Sequence, residues 1–332
     1  MAQPRDLELV KIGKAGPRVQ PIALGCMGMS GIYGQCNERE SIATLHAALE
    51  PGPMLVDTGD FYGLGHNEML VGRALKDRRN QAILSVKFGA MRAPDGTWLG
   101  IDARPVAVKN FLAYSLTRLG VDYIDIYRPA RLDPAIPIED TVGAIADLVQ
   151  AGYVRAIGLS EVGPETIRRA HATHPIVDLQ IEYSLVSRGP EPKIFPLLAE
   201  LGIGVTAYGV LSRGLLTGAQ PQAKGDLRAF LPRFQGANRL QNEPLVAALA
   251  ELAGKHRVTP AQLAIAWVLN KGGGLLPVVG ARTRERWQEA WGARNIKLTP
   301  SDLAELEAAV SADAIVGSRY QPQQMRHLDS ER

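Results

Sequence analysis

Cysteine is nearly absent. Cys26 and Cys36 are the only two in 332 residues, and they form neither a CxxC pair nor a set with zinc-ligand spacing. No disulfide framework and no metal site are expected, and the chain reads as a reduced, cytoplasmic protein. Long apolar runs are missing too, since none approaches the length that spans a bilayer. The opening residues, MAQPRDLELVKIG, lack the apolar stretch of a signal peptide. Charge of one sign is also scarce. The net charge is +3 with no tract of Lys or Arg, which argues against nucleic-acid and membrane partners. What remains is 46% apolar and 21% charged residues, the balance of a globular protein with enough chain to bury a large core.

Eight short apolar runs recur along the chain, at Ile22–Leu24, Met54–Val56, Ala82–Val86, Tyr123–Tyr127, Arg155–Leu159, Val177–Ile181, Gly204–Ala207 and Leu275–Val279. They are too short for helices and apolar almost throughout, as strands buried on both faces are. Segments of helical periodicity separate them, with Pro105, Pro164 and Pro192 near helix starts and Gly120, Gly152 and Gly202 near helix ends. This alternation predicts an α/β fold, a (β/α)8 TIM barrel. A doubly wound sheet is the rival, but GCMGMSG after the first run has the wrong glycine spacing for a dinucleotide fingerprint. Residues 6–20 read as an N-terminal β-hairpin at the barrel bottom. A Gly/Pro/Arg-rich loop, about 209–242, precedes helical segments Glu243–His256 and Pro260–Asn270. Extra C-terminal helices are expected at Glu285–Arg294 and Ser301–Val310, and the tail from Ala314 to Arg332 reads as polar and irregular. No linker interrupts the chain, so one domain is expected over residues 1–332.

Barrel chemistry sits at the C-terminal ends of the strands. There the sequence places Asp57 with Tyr62 five residues on, then Lys87, Ser160, Gln180, Tyr208 and the stretch GARTRER. A free phenol has a pKa of about 10. A neighbouring ammonium lowers it, and a carboxylate keeps that ammonium charged and aimed. Asp57, Tyr62 and Lys87 would together make a general acid, worth about 10²–10⁴ in rate. The glycines of VDTGDFYGLGHNE would let backbone and cofactor approach closely. The structural alternative is a satisfied ion pair beside a packed tyrosine.

In this order, VDTGDFYGLGHNE, SVKFG, SLTRLGVDYIDIY, GYVRAIGLSE, LQIEYSL, AYGVLSRGLLTG and LPVVGARTRERWQEA resemble the aldo-keto reductase superfamily, from about Ile22 to Val310. The resemblance implies a barrel without a Rossmann domain that binds NAD(P)H in an extended pose and reduces a small-molecule carbonyl substrate. It implies that Asp57, Tyr62 and Lys87 are catalytic, that Ser160 and Gln180 hold the nicotinamide carboxamide, and that Tyr208 stacks on the nicotinamide ring. Leu211, Arg213 and Gly214 would cover the pyrophosphate, Gly280, Arg282 and Arg286 would meet the adenosine phosphate, and Met27 would lie near the ribose. Arg282 and Arg286 beside a helix start suit a phosphate dianion, so NADPH is expected over NADH.

The departures are informative. Strand four reads YRPARLD, with Ala130 where the family has its catalytic histidine. Such motifs resemble the pyridoxal reductase-like branch. The expectation is that Ala130 enlarges the pocket for a bulkier substrate, pyridoxal or another ring-bearing or polycyclic carbonyl or a sugar, with Arg128 as a candidate replacement charge. His66 follows the catalytic turn but matches no family catalytic position. Glu161 and Ala290 stand where asparagines usually contact the cofactor. The substrate pocket is expected to include Met29, Tyr33, Trp98, Ala130 and Phe230. Two other functions stay open, an NAD(P)+-linked alcohol dehydrogenase and a cofactor-binding regulatory subunit of the potassium-channel β type. The oligomeric state is not read from the sequence.

Overall fold

Runs that are apolar on both faces need cover on both faces, and a closed barrel ringed by helices supplies it. In a computed structural model, described for residues 8–221 and 225–332, eight parallel strands close on themselves. They are β1 (Ala23–Gly25), β2 (Met54–Gly59), β3 (Ala82–Phe88), β4 (Ile124–Pro129), β5 (Val154–Ser160), β6 (Ile176–Glu182), β7 (Gly204–Tyr208) and β8 (Leu275–Gly280). Pairing of Val278 with Ala23 and Val279 with Leu24 shuts the ring. Every predicted run became a strand, extended by up to three residues at its C-terminal end, and the doubly wound alternative is excluded.

The helices between strands are α1 (Glu38–Leu49), α2 (His66–Leu75), α3 (Pro105–Leu119), α4 (Ile138–Gln150), α5 (Pro164–Thr173) and α6 (Ile194–Leu201). Pro105 and Pro164 open their helices, while Gly120 and Gly202 close α3 and α6 in the left-handed region, at φ 64° and 72°. Between β7 and β8 lie α7 (Gly236–Lys255) and α8 (Pro260–Asn270), followed after β8 by α9 (Arg284–Gly292) and α10 (Pro300–Ala309). The α7 helix starts seven residues before the expected Glu243, with Pro244 inside it. Asn238 and Asn242 donate to the carbonyls of Pro232 and Arg233, tying the early turns to the preceding loop.

The N-terminal hairpin pairs Val10–Lys11 with Arg18–Val19; residues 6 and 7 of the expected hairpin lie outside the described residues. Ile12 and Val19 join Leu55, Ile126, Val177 and Leu276 in a buried apolar cluster at the barrel bottom. The amide of Lys14 donates to Gly202 at 2.7 Å and that of Gln20 to Pro53 at 2.9 Å. The hairpin thus closes the end opposite the strand C-termini. A second hairpin, Ala90–Arg92 with Trp98–Ile101, rises from the end of β3 and was not anticipated.

The middle of the barrel is polar. Arg128 on β4 and Asp178 on β6 are both 0% exposed and pair at 2.9 Å. Arg128 also donates to Ser85 at 3.0 Å, and Thr206 donates to Asp178 at 2.7 Å. Room for the guanidinium comes from Gly158, where an added Cβ would stand 2.6 Å from Asp178 Oδ1 and 3.0 Å from Arg128 Cζ. Gly158→Ala is therefore expected to destabilise the fold by about 1–3 kcal/mol through overpacking. Urea denaturation checks this, and an unchanged midpoint would contradict it.

Candidate active site

Sheet alternation sends Asp57, Lys87, Ser160 and Gln180 inward near the strand C-termini. Asp57 Oδ1 accepts from Lys87 Nζ at 2.5 Å, and Oδ2 accepts from Gln180 at 2.7 Å and Ser85 at 3.0 Å. Asp57 and Lys87 are both buried. Tyr62 follows on a tight turn, Tyr62–Gly65, in which Gly63, Leu64 and Gly65 have φ of 58°, 54° and 91°. A Cβ on Gly63 would stand 2.8 Å from Ser30 Cβ, so glycine permits both the backbone angle and the contact. His66 lies on the far side of this turn, bonded to Ser30 at 2.9 Å and Glu38 at 2.6 Å.

The Lys87 ammonium lies 5.1 Å from the Tyr62 ring centroid. Among the described residues the Tyr62 hydroxyl has no hydrogen-bond partner. Burial, then the Asp57 carboxylate, hold the phenol well above the ordinary tyrosine pKa, and the strongest opposing charge is Arg131, not Lys87. Burial and Asp57 thus outweigh any acidification by Lys87, whose ammonium faces the ring and pairs with Asp57. Burial pulls Lys87 itself down, and Asp57 resists. Tyr62 accordingly keeps its proton at neutral pH.

A primary carboxamide would find matched partners beside Asp57. The Gln180 amide nitrogen is spent on Asp57, which leaves its carbonyl oxygen to accept. Ser160 Oγ accepts only from Arg131, at 3.5 Å, which leaves its proton to donate. Tyr208 stands next to them at the end of β7, half-buried. Glu161 is a different matter. At φ 53°, it accepts from Tyr208 at 2.7 Å, from Arg319 at 3.0 Å through each oxygen, from Ser330 at 2.6 Å and from the Glu182 amide at 2.9 Å. Its carboxylate is fully engaged with the chain's own tail.

The other expected site residues fall into three groups. At the phosphate end, Arg282 bonds the carbonyls of Tyr33 at 3.2 Å and Gln35 at 3.3 Å, with no carboxylate partner among the described residues. Arg286 is exposed and paired with Glu289, Ala290 is buried, and Gly280 is exposed at the end of β8. In the loop after β7, Leu211 packs on the core, Gly214 takes φ 91°, and Arg213 pairs with Glu182 at 3.3 Å. Around the mouth, Met27 is half-buried, Tyr33 lies under Arg228 at 5.4 Å, Trp98 packs near His327 at 5.9 Å, and Phe230 is exposed.

Ala130, just after β4, is 1% exposed, as deep as Ser160 at 1%. Two expectations need correction. Met29 is fully buried in the main core, so it does not line an open pocket. Arg128 points into the polar layer and is consumed by Asp178, Ser85 and Thr206. What sequence reading missed is the tail. Asn242 clamps Val316 through both backbone groups, at 2.8 and 3.0 Å. Tyr320 then reaches Tyr208 at 3.0 Å and Arg131 at 3.3 Å, while Arg319 pairs with Glu161 and Glu182. No local signal could have found these, because the partners are 74 to 189 residues apart.

Residues 21–311 match the model of the Aldo/keto reductase family. The curated protein "Probable aldo-keto reductase 1" of Glycine max is 41% identical over 323 residues, covering 95% of this chain and 92% of that one. Among solved structures, the glycerol dehydrogenase AKR11B4 from Gluconobacter oxydans superposes with a TM-score of 0.82 at 28% identity, covering 95% of this chain and 98% of that one. The holo form of aldo-keto reductase AKR11C1 from Bacillus halodurans gives 0.76 at 27% identity, covering 92% and 97%. On these matches the chain belongs to the aldo/keto reductase family, oxidoreductases that act on carbonyl and alcohol groups with nicotinamide cofactors.

Proposed function

We propose that this barrel is an NADPH-dependent carbonyl reductase in which Tyr62 is the general acid. The observation that carries the reading is the meeting of Asp57, Lys87 and Tyr62 beside the complementary Ser160 and Gln180. A bound reduced nicotinamide supplies the hydride. Ser160 and Gln180 would orient its carboxamide, and the Tyr208 ring would support its face. Tyr62, protonated because it is buried, gives its proton to the oxygen as charge develops there. Lys87 holds positive charge under that ring, and Asp57 fixes the ammonium. Leu64, Leu99 and Phe230 are exposed on segments that follow β2, β3 and β7, which favours a bulky apolar or ring-bearing aldehyde or ketone, pyridoxal among the candidates. The test is a panel of aldehydes and ketones with NADPH and NADH separately, followed by nicotinamide absorbance. No turnover of any carbonyl with either cofactor would end the proposal.

The glycerol dehydrogenase neighbour favours a second reading, NAD(P)+-linked oxidation of an alcohol at the same site. Initial rates in both directions separate the two. An intact Asp57–Lys87–Tyr62 set argues against a purely regulatory subunit.

NADPH preference is assigned to Arg282. Arg284 is taken by Glu40 and Arg286 by Glu289, whereas Arg282 bonds only carbonyls beside the N-terminus of α9. A charge-assisted bond to phosphate is worth about 1.5–3 kcal/mol. Arg282→Ala should therefore weaken NADPH binding at least about tenfold in a fluorescence titration and leave NADH nearly unchanged. Equal losses for both cofactors would refute the assignment.

A further inference from the structure

With Ala130 in the histidine position, a substrate oxygen would have Tyr62 as its one donor. Arg128 is spent on Asp178. The next residue, Arg131, is placed differently. Around the mouth Arg213 pairs with Glu182, Arg228 with Asp226, Arg233 with Glu182 and Arg319 with Glu161. Arg131 has no carboxylate partner among the described residues. It donates to the Ala130 carbonyl at 2.6 Å, to Ser160 Oγ at 3.5 Å and to the Tyr320 hydroxyl at 3.3 Å. Its charge is also the one that most opposes the rise in the Tyr62 pKa.

The hydrogen-bond directions around Tyr320 can be assigned. Glu161 stays ionised although burial opposes it, because Arg319 and Arg131 face it. A carboxylate only accepts, so the Tyr208 hydroxyl donates to Glu161. The Tyr208 oxygen then accepts from Tyr320, and the Tyr320 oxygen accepts from Arg131. The partner of the guanidinium is thus a lone-pair oxygen carried by the tail, which is also what a carbonyl oxygen presents.

We propose that Arg131 is the second donor to the substrate's carbonyl oxygen, in place of the histidine that Ala130 lacks, and that the Tyr320 oxygen occupies this donor until substrate displaces it. The inference rests on the carbonyl-reductase reading above. Tyr62 still supplies the proton, and Arg131 keeps its own throughout, stabilising the developing negative charge.

The test uses the full chain with benzaldehyde and NADPH, and titrates benzoate into the NADP+ complex by calorimetry. Removing an oxyanion donor typically lowers kcat by about 10²–10³-fold, and that loss is expected for Arg131→Ala with cofactor affinity retained. Arg131→Gln, which keeps a polar stem but is shorter and uncharged, serves if the alanine variant does not fold. Adding Ala130→His to the alanine variant should restore kcat at least about tenfold. Tyr320→Phe should act in the opposite sense, lowering KM because the competing oxygen is gone. A kcat near wild type in Arg131→Gln, or no rescue by Ala130→His, would overturn the proposal, and so would a raised KM in Tyr320→Phe. If wild type reduces no carbonyl, the reductase reading fails, and benzoate still decides Arg131. Binding lost in Arg131→Gln but kept in Tyr320→Phe supports it, and equal binding in all variants overturns it.

Discussion

Tyr62→Phe is expected to lower kcat for carbonyl reduction by about 10²–10⁴-fold, the usual worth of a positioned general acid. The substitution removes one oxygen and keeps the ring. The Phe61 ring would still meet it edge-on at 4.8 Å, and the Lys87 ammonium would still face it at 5.1 Å. Since the Tyr62 hydroxyl makes no protein hydrogen bond among the described residues, stability should stay within about 0.5 kcal/mol of wild type. Cofactor affinity should also hold, because the carboxamide partners are Ser160 and Gln180. Steady-state kinetics, a thermal melt and a cofactor titration together check the split. A kcat reduced less than about tenfold would show that the proton comes from elsewhere. Large losses of stability or cofactor affinity would instead make Tyr62 a packing residue.

The largest expected effect on stability lies one layer deeper. Asp178→Ala would leave Arg128 charged and unpaired where neither side chain touches solvent. Breaking a buried pair from one side costs about 3–5 kcal/mol, whereas replacing both partners with apolar groups of similar volume is often neutral or stabilising. Asp178→Ala should therefore lower the urea midpoint strongly, and the double variant Arg128→Met with Asp178→Leu should recover most of the loss. The pair also reaches the active site. Arg128 donates to Ser85 at 3.0 Å, and Ser85 donates to Asp57 at 3.0 Å. Asp178→Ala should thus reduce kcat as well as stability. A single variant within about 1 kcal/mol of wild type would mean that water or a rearranged Arg128 relieves the charge.

Which parts could be read early follows from how far apart the partners are. Strands β2, β3 and β6 are buried almost throughout, so each holds enough apolar residues to be visible as a short run, even with Ser85 and Asp178 inside β3 and β6. Their polar ends, Asp57, Lys87 and Gln180, break that pattern and so mark the mouth. Arg128 misled because alternation gives the side of a strand and not the depth. It shares the inward face, but its guanidinium reaches Asp178 and Thr206, where Gly158 leaves space for it. Glu161 looked like a changed cofactor contact, yet its partners Arg319 and Ser330 lie 158 and 169 residues away. The helix expected from Glu243 begins at Gly236, and bonds from Asn238 and Asn242 to the preceding loop tie down its early turns.

By itself the sequence determined the order of strands and helices, the barrel class and the strand ends where Asp57, Tyr62 and Lys87 stand, because these depend on local periodicity and on the polarity of adjacent positions. Only the tertiary structure decided that Lys87 faces the Tyr62 ring, that Arg128 is buried against Asp178, and that Arg319 and Tyr320 return to the mouth. Each of those depends on distances between residues remote in the chain, which are set when the barrel closes and the tail packs against it.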